Sequence, residues 1–361
     1  TDEKFRKKLY INHQKVMTPL LKIPKLDMIE DIVVGDRLHL IDLGVMKRLL
    51  LGWRDGILGY ETKLSAFQIA KMSDMLIAVK LPSEIHRKLR GMDHLAFWKA
   101  SEFSSFLHYA SIVVLKDFLP VDNYNHFLLL FCSITMLSSN HYKSNWTVAR
   151  KMLQTFVSQY MELYGEQFLT SNVHNLIHIV DEVERFGPLS TISAYPFENA
   201  LQRIKHLLRS GWKTLEQVIN RLSEINSSEY YTRKPSKTLN QNFPNIRTCG
   251  KAKVLDINET FSLSNTDKNA WFLTNDNQIV RFENVVESNK LIINGRQLAL
   301  QEDFFIYPFA SSFLYIYVGH LRSLSKEYSK LSVDDIKCKL VSIEHKDKRV
   351  FVPLVHTIIH R

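Results

Sequence analysis

The chain has 361 residues, 45% of them hydrophobic and 23% charged, which is too apolar a composition to stay disordered. Three widely separated cysteines, Cys132, Cys249 and Cys338, exclude a disulfide scaffold and a paired-cysteine zinc finger, and fit a reducing compartment. The formal net charge of +10 favours an acidic partner, and no run reaches the roughly 18 apolar residues of a membrane span, so no membrane partner is expected.

The amino terminus, Thr1-Asp2-Glu3-Lys4, lacks both the apolar centre of a signal peptide and an initiating Met, and reads as part of a longer chain. Ile32-Val33-Val34 is a β-branched run that suits a buried strand. Asp36 follows at a helix N-cap position. Leu38, Ile41, Val45 and Leu49 then fall at helical spacing and predict a helix from Arg37 to Trp53. Helical patterns continue over Ser65–Lys80, Ala100–Phe118, Tyr124–Ser138 and Thr147–Tyr164. A further helix is predicted from Asn172 to Arg185, ended by Gly187-Pro188, and another from Pro196, whose fixed φ suits the first helical turn. A polar stretch from Ser227 through Lys234-Pro235-Ser236-Lys237 to Asn245 reads as a linker. Beyond it come short β-type runs: Ala270–Leu273, Gln278–Phe282, Leu291–Ile293, Phe304–Tyr307, Leu314–Val318 and Val350–Val355. Asn275-Asp276-Asn277 and Asn294-Gly295 read as turns between them, giving a small β-rich barrel or sandwich.

The positive charge is uneven. Residues 1–250 carry 32 Lys/Arg against 24 Asp/Glu, and residues 251–361 carry 15 against 13. The near-neutral β-rich part is therefore not the expected main contact for an acidic partner. It is better suited to a protein partner or to self-association.

Three groups of residues carry chemistry. Asp36 is either an ordinary N-cap or a carboxylate at the edge of a site. Glu198, in Tyr195-Pro196-Phe197-Glu198-Asn199, sits in a first helical turn, where the helix dipole favours an anion. It is either helix-start electrostatics or a ligand for a divalent metal. Arg203, Lys205, Arg209 and Lys213 follow, with His206, and no acid interrupts them from Asn199 to Leu215. Such a run is either a solvated face or a phosphate-tracking surface. His174 and His178, four apart, could share a metal, but no cysteine pair is available to complete a zinc site, so zinc is not expected. Gly52, Gly56 and Gly59 form no phosphate loop, and there is no Gly-x-Ser-x-Gly elbow.

Two blocks carry a family resemblance. The first is Asp36-x-Leu38-His39 followed by Leu43-Gly44-Val45-Met46-Lys47-Arg48-Leu49-Leu50. The second is His174-Asn175-Leu176-Ile177-His178-Ile179-Val180-Asp181, then Arg185-Phe186-Gly187-Pro188-Leu189, then Tyr195-Pro196-Phe197-Glu198. Together they resemble CACTA-type (En/Spm) DDE transposases, over roughly residues 25–215, and among these the insect and other animal transposase-like proteins. Leu38 stands where the family carries Met. The resemblance implies an α/β fold: a partial ribonuclease H-like core with a large α-helical insertion, plus the small β-rich C-terminal domain. Residues 1–60 would be the part of the core with the second acid, 61–170 the insertion, and 171–226 the return to the core with the third acid and the basic helix. Residues 227–250 would be the linker and 251–361 the β-rich domain.

It further implies DNA as partner, a nuclear location, and two Mg²⁺ (or Mn²⁺) ions held by three acids for DNA cleavage and strand transfer. Asp36 would be the second acid and Glu198 the third. The first belongs on an earlier strand, and Asp27, Glu30 and Asp31 are too close to Asp36 to be on it. By itself this chain is therefore expected to be inactive. The alternatives are a catalytically silent nucleic-acid-binding protein descended from a transposon, and a protein-interaction module.

Overall fold

The computed structural model describes residues 1–359 apart from 12, 13, 15, 34, 233–241, 251 and 289. Residues 233–241 of the expected linker, Lys234 to Lys237 included, and Val34 lie outside the described residues. The helices are α1 (Asp2–Arg6), α2 (Lys47–Asp55), α3 (Ala66–Ala78), α4 (Ala100–Ser105), α5 (Ser111–Lys116) and α6 (Val121–Leu137). They continue as α7 (Trp146–Tyr164), α8 (Ser171–Asn175), α9 (Ile179–Phe186), α10 (Tyr195–Leu207) and α11 (Thr214–Thr232). A wider π-helical run, Arg37–Met46, leads into α2.

The predicted helices form, with local differences. Ser65 starts α3 through a reciprocal capping box with Gln68. Fourteen of the seventeen residues of α6 are buried, which makes it the central post of the helical body. The amphipathic α7 lies along it, and Ser133 Oγ donates to the Ala149 carbonyl at 3.3 Å where the two meet. Gly44 is needed for close approach: a Cβ there would stand 2.6 Å from the His39 carbonyl and 2.9 Å from the Asn172 amide. The helix predicted over Asn172–Arg185 is broken. Leu176, Ile177 and His178 each bond three residues back, tightening the chain into a turn between α8 and α9.

The strand expected at Ile32–Val34 is not seen: Ile32 lies in a bend and Val33 in irregular backbone. Among the described residues no strand precedes Asn245. Ile32 and Val33 have no strand to pair with among the described residues, and propensity alone does not make a strand.

The strands are β1 (Asn245–Cys249), β2 (Ala252–Asn258), β3 (Phe261–Leu263), β4 (Trp271–Thr274), β5 (Ile279–Glu287) and β6 (Leu291–Gln297). They continue as β7 (Glu302–Asp303), β8 (Tyr317–Gly319), β9 (Ser329–Ser332), β10 (Ile336–His345) and β11 (Lys348–Pro353). All pairings are antiparallel. β1, β2 and β3 form a small sheet, and the other eight form a large one in the order β7-β8-β11-β10-β4-β5-β6-β9.

Alternation along β4 sends Phe272 to one face of the large sheet and Trp271 and Leu273 to the other. Phe272, Phe282 and Ile293 pack under Leu255, Phe261 and Leu263 of the small sheet. Trp271, Leu273 and Leu340 join the core of the helical body. The result is three layers: helices, large sheet, small sheet. β1 begins inside the span expected as linker, and the β-rich part shares one continuous core with the helices.

Two β-region expectations fail, and a third, Leu314–Val318, is strand only from Tyr317 onward because Leu314 ends a 3-10 turn. Asn294-Gly295 is not a turn but lies inside β6, where Gly295 pairs with Phe282 and Ser329. A Cβ there would meet Val280 at 2.4 Å, so the glycine serves close packing. Phe304–Tyr307 is not a strand; Phe304 and Phe305 instead insert into the shared core.

One buried ion pair joins the layers. Lys339 of β10 reaches both carboxylate oxygens of Glu84 at 2.8 Å, the Ser262 carbonyl at 2.7 Å and Asn269 Oδ1 at 2.9 Å. Burial pulls the Lys339 ammonium down to about 8, against the attraction of Glu84.

Candidate functional site

Asp36 ends irregular chain and starts the π-helical run. Its Oδ1 accepts from Leu38 N at 2.8 Å and His39 N at 3.3 Å, satisfying two orphan amides of that run. The same oxygen accepts from Ala194 N at 3.3 Å, at the entry to α10. The segment before α10 is further tied back by Arg37 N, which donates to the Ile192 carbonyl. One side chain thus caps its own helix and anchors another 158 positions on.

That anchoring brings the two sequence-predicted acids together. Asp36 Oδ2 lies 2.9 Å from His39 Nδ1, and Glu198 Oε1 lies 3.7 Å from His39 Nε2. The imidazole stands between the two carboxylates, and its side chain is 56% exposed, as Glu198 is 53% exposed. No sheet lies beside the pair among the described residues. As hard oxygen donors the two carboxylates suit Mg²⁺, which is commonly held by one or two carboxylates plus substrate phosphates. They are not a closed cage: among the described residues no group of three or more His, Cys, Asp or Glu side chains is placed to hold a metal ion.

A third carboxylate lies directly beneath. Asp42 is fully buried, and its Oδ2 accepts from Tyr195 Oη at 2.9 Å and faces Arg37 Nε at 3.5 Å. Its Oδ1 has no hydrogen-bond partner among the described residues. Burial raises the Asp42 carboxyl to about 6, only partly offset by Arg37 and Tyr195. Arg37 also donates to Ser104 Oγ. Tyr195 opens α10 three residues before Glu198, so the Asp42–Tyr195 bond helps set that helix on the π-helical run. The signal for Asp42 was available: it falls on the apolar stripe of Leu38, Ile41 and Val45, where a carboxylate must find a buried partner.

The Phe186-Gly187-Pro188 segment delivers the chain to this place. Gly187 has φ +98°, beyond easy reach of a side-chain-bearing residue, and its amide caps α9 through the Val183 carbonyl. Arg150 of α7 holds α9 through Asp181 at 2.7 Å and Glu184 at 2.9 Å.

His174 and His178 lie on either side of the turn between α8 and α9, ring centroids 5.5 Å apart and edge to face. His178 lines a cleft of about 540 Å³ with Ile29, Glu30, Asp181 and Arg185. Glu182, also on that cleft, accepts from Gly35 N at 2.9 Å. The histidines therefore neighbour the acid cluster without joining it.

Arg203, Lys205, Arg209 and Lys213 are all exposed on α10 and the turn after it, and none forms an ion pair with a described residue. No residue of α10 is buried.

Compared with known proteins, residues 239–354 match a domain family of unknown function, DUF8592. The match covers the sheets and none of the site residues. No curated protein and no solved structure matches the chain.

Proposed function

We propose that the chain is a transposase-related protein that acts on DNA, gripping phosphates along α10 and presenting Asp36 and Glu198 as two acids of a DDE-type site. One observation carries the reading: carboxylates 162 positions apart meet on the two nitrogens of one imidazole, at the root of a helix whose exposed cations have no acidic partner among the described residues. Asp36 and Glu198 would hold the divalent ion, which when bound supplies Lewis-acid activation of a phosphodiester. Asp36 orients both helices, His39 holds the acids in register, and Arg203, Lys205, Arg209 and Lys213 position the backbone. A complete two-metal site takes a further carboxylate beside these two. DNA cleavage and strand transfer is then the reaction class, and the nucleus the working compartment.

Mobility-shift titrations of a DNA duplex between 50 and 200 mM salt test the binding half. Arg203→Ala and Lys205→Ala should each weaken binding and reduce the salt slope by about one unit. An unchanged slope refutes the phosphate-tracking role. Titration calorimetry with Mn²⁺ tests the other half: uptake lost in both Asp36→Asn and Glu198→Gln supports the acid pair. DNA binding without such uptake selects a second reading, a catalytically silent nucleic-acid-binding relative, which the His39 ring between the acids favours.

A further inference from the structure

We infer that Trp212, on the turn between α10 and α11, is a stacking platform for an unpaired base, so that this protein recognises DNA with a locally opened strand rather than uniform duplex. The inference rests on the DNA-binding reading above and deepens it by naming the form of substrate.

Four of the five tryptophans, Trp53, Trp98, Trp146 and Trp271, are 4% exposed or less. Trp212 is 76% exposed. A ring of this size left in water forgoes a large burial gain, so its placement calls for a partner. The turn that carries it is tightly built. The Gln217 side-chain amide accepts from Arg209 N at 2.9 Å and donates to Ser210 O at 3.2 Å, Ser210 Oγ at 3.1 Å and Trp212 O at 2.5 Å. Lys213 completes the reversal with φ +49°. One side chain therefore fixes the backbone on both sides of the ring and holds the indole outward.

The charge around it selects the partner. Arg209 and Lys213 flank Trp212, Arg203, Lys205 and His206 precede them on α10, and the nearest acids in sequence are Glu198 and Glu216. An aromatic ring set among cations that pair with no described acid suits a polynucleotide, with phosphates on the cations and a base on the ring. It does not suit an apolar protein surface, which would have to desolvate four charges.

The isolation of Trp212 makes the test direct, because it alone supplies solvent-exposed tryptophan emission. The full chain is titrated with a paired 20-mer duplex and with the same duplex carrying one unpaired 2-aminopurine. The expected result is at least about tenfold tighter binding of the bulged duplex, with quenching of both the exposed tryptophan and the 2-aminopurine. Trp212→Leu should lose that preference and the 2-aminopurine quenching while keeping paired-duplex affinity within twofold. Arg209→Ala with Lys213→Ala should weaken both duplexes alike. Gln217→Ala should reduce the preference with Trp212 still present.

Salt-dependent binding of both duplexes with equal affinity, or a preference that survives in Trp212→Leu, overturns the stacking role and leaves the DNA-binding reading standing. No binding of either duplex overturns both. A concentration-dependent blue shift of the exposed emission without DNA, matched by dimer formation in sedimentation, assigns the ring to a second copy and also overturns the inference.

Discussion

Asp36 should be worth more to stability as an oxygen acceptor than as a charge. Asp36→Ala removes the acceptor for Leu38 N and His39 N, an N-cap loss of about 1 kcal/mol. It also strands the half-buried Ala194 amide, for about 1 kcal/mol more. The contact to His39 is at the surface and adds a few tenths of a kcal/mol. The sum is roughly 2–3 kcal/mol. Asp36→Asn keeps a carbonyl oxygen in place of Oδ1 and should cost no more than about 0.5 kcal/mol. Urea unfolding followed by circular dichroism measures both. Hydrogen exchange supplies the location, with faster exchange at Ala194 to Glu198 in Asp36→Ala only. If the two variants unfold at the same urea concentration, Asp36 does not tie α10 to the π-helical run and the geometric basis of the site is gone.

Burial lifts Asp42 from 3.8 to about 6, so between those values the folded chain holds more protons than the unfolded one. Stability should therefore fall as pH rises through that window, by an amount on the order of 3 kcal/mol, and then level off; Asp42→Asn should abolish the fall, and a variant with the wild-type pH profile of urea midpoints refutes this. Lys339→Met strands buried Glu84 and should destabilise by about 3–5 kcal/mol in the same assay; a cost under about 1 kcal/mol would show that Glu84 is relieved by water. Gly187→Ala forces a β-carbon into φ +98° and should cost about 1–2 kcal/mol; an unchanged thermal midpoint would mean that the turn adjusts.

The sequence announces the helical body and the two acids for different reasons. α3, α6 and α7 follow from apolar periodicity, which is local. Asp36 and Glu198 stand out through motifs, and only the fold supplies the ring between them. Asp42 and Tyr195 do not read as a pair because 153 positions separate them and neither motif marks a buried bond. The winding of Arg37–Met46 is equally hidden: helical spacing predicts a helix, but Gly44 against Asn172 is a tertiary contact. β10 is hard to see because Lys339 occupies a core position, and its partner Glu84 comes from the loop after α3. Gly295 reads as a turn because glycine marks turns and close packing alike.

The shared interior has a consequence for how the β-rich part is inherited. The segment that matches a domain family, 239–354, contributes Trp271, Leu273, Phe304, Phe305 and Leu340, among others, to an interior that it shares with the helical body. Expressed separately, it would turn that oily surface to water and precipitate or seek a substitute cover. Wherever the segment is passed on, then, something must travel with it to shield that side, and substitutions on the two sides of the contact must be tolerated jointly.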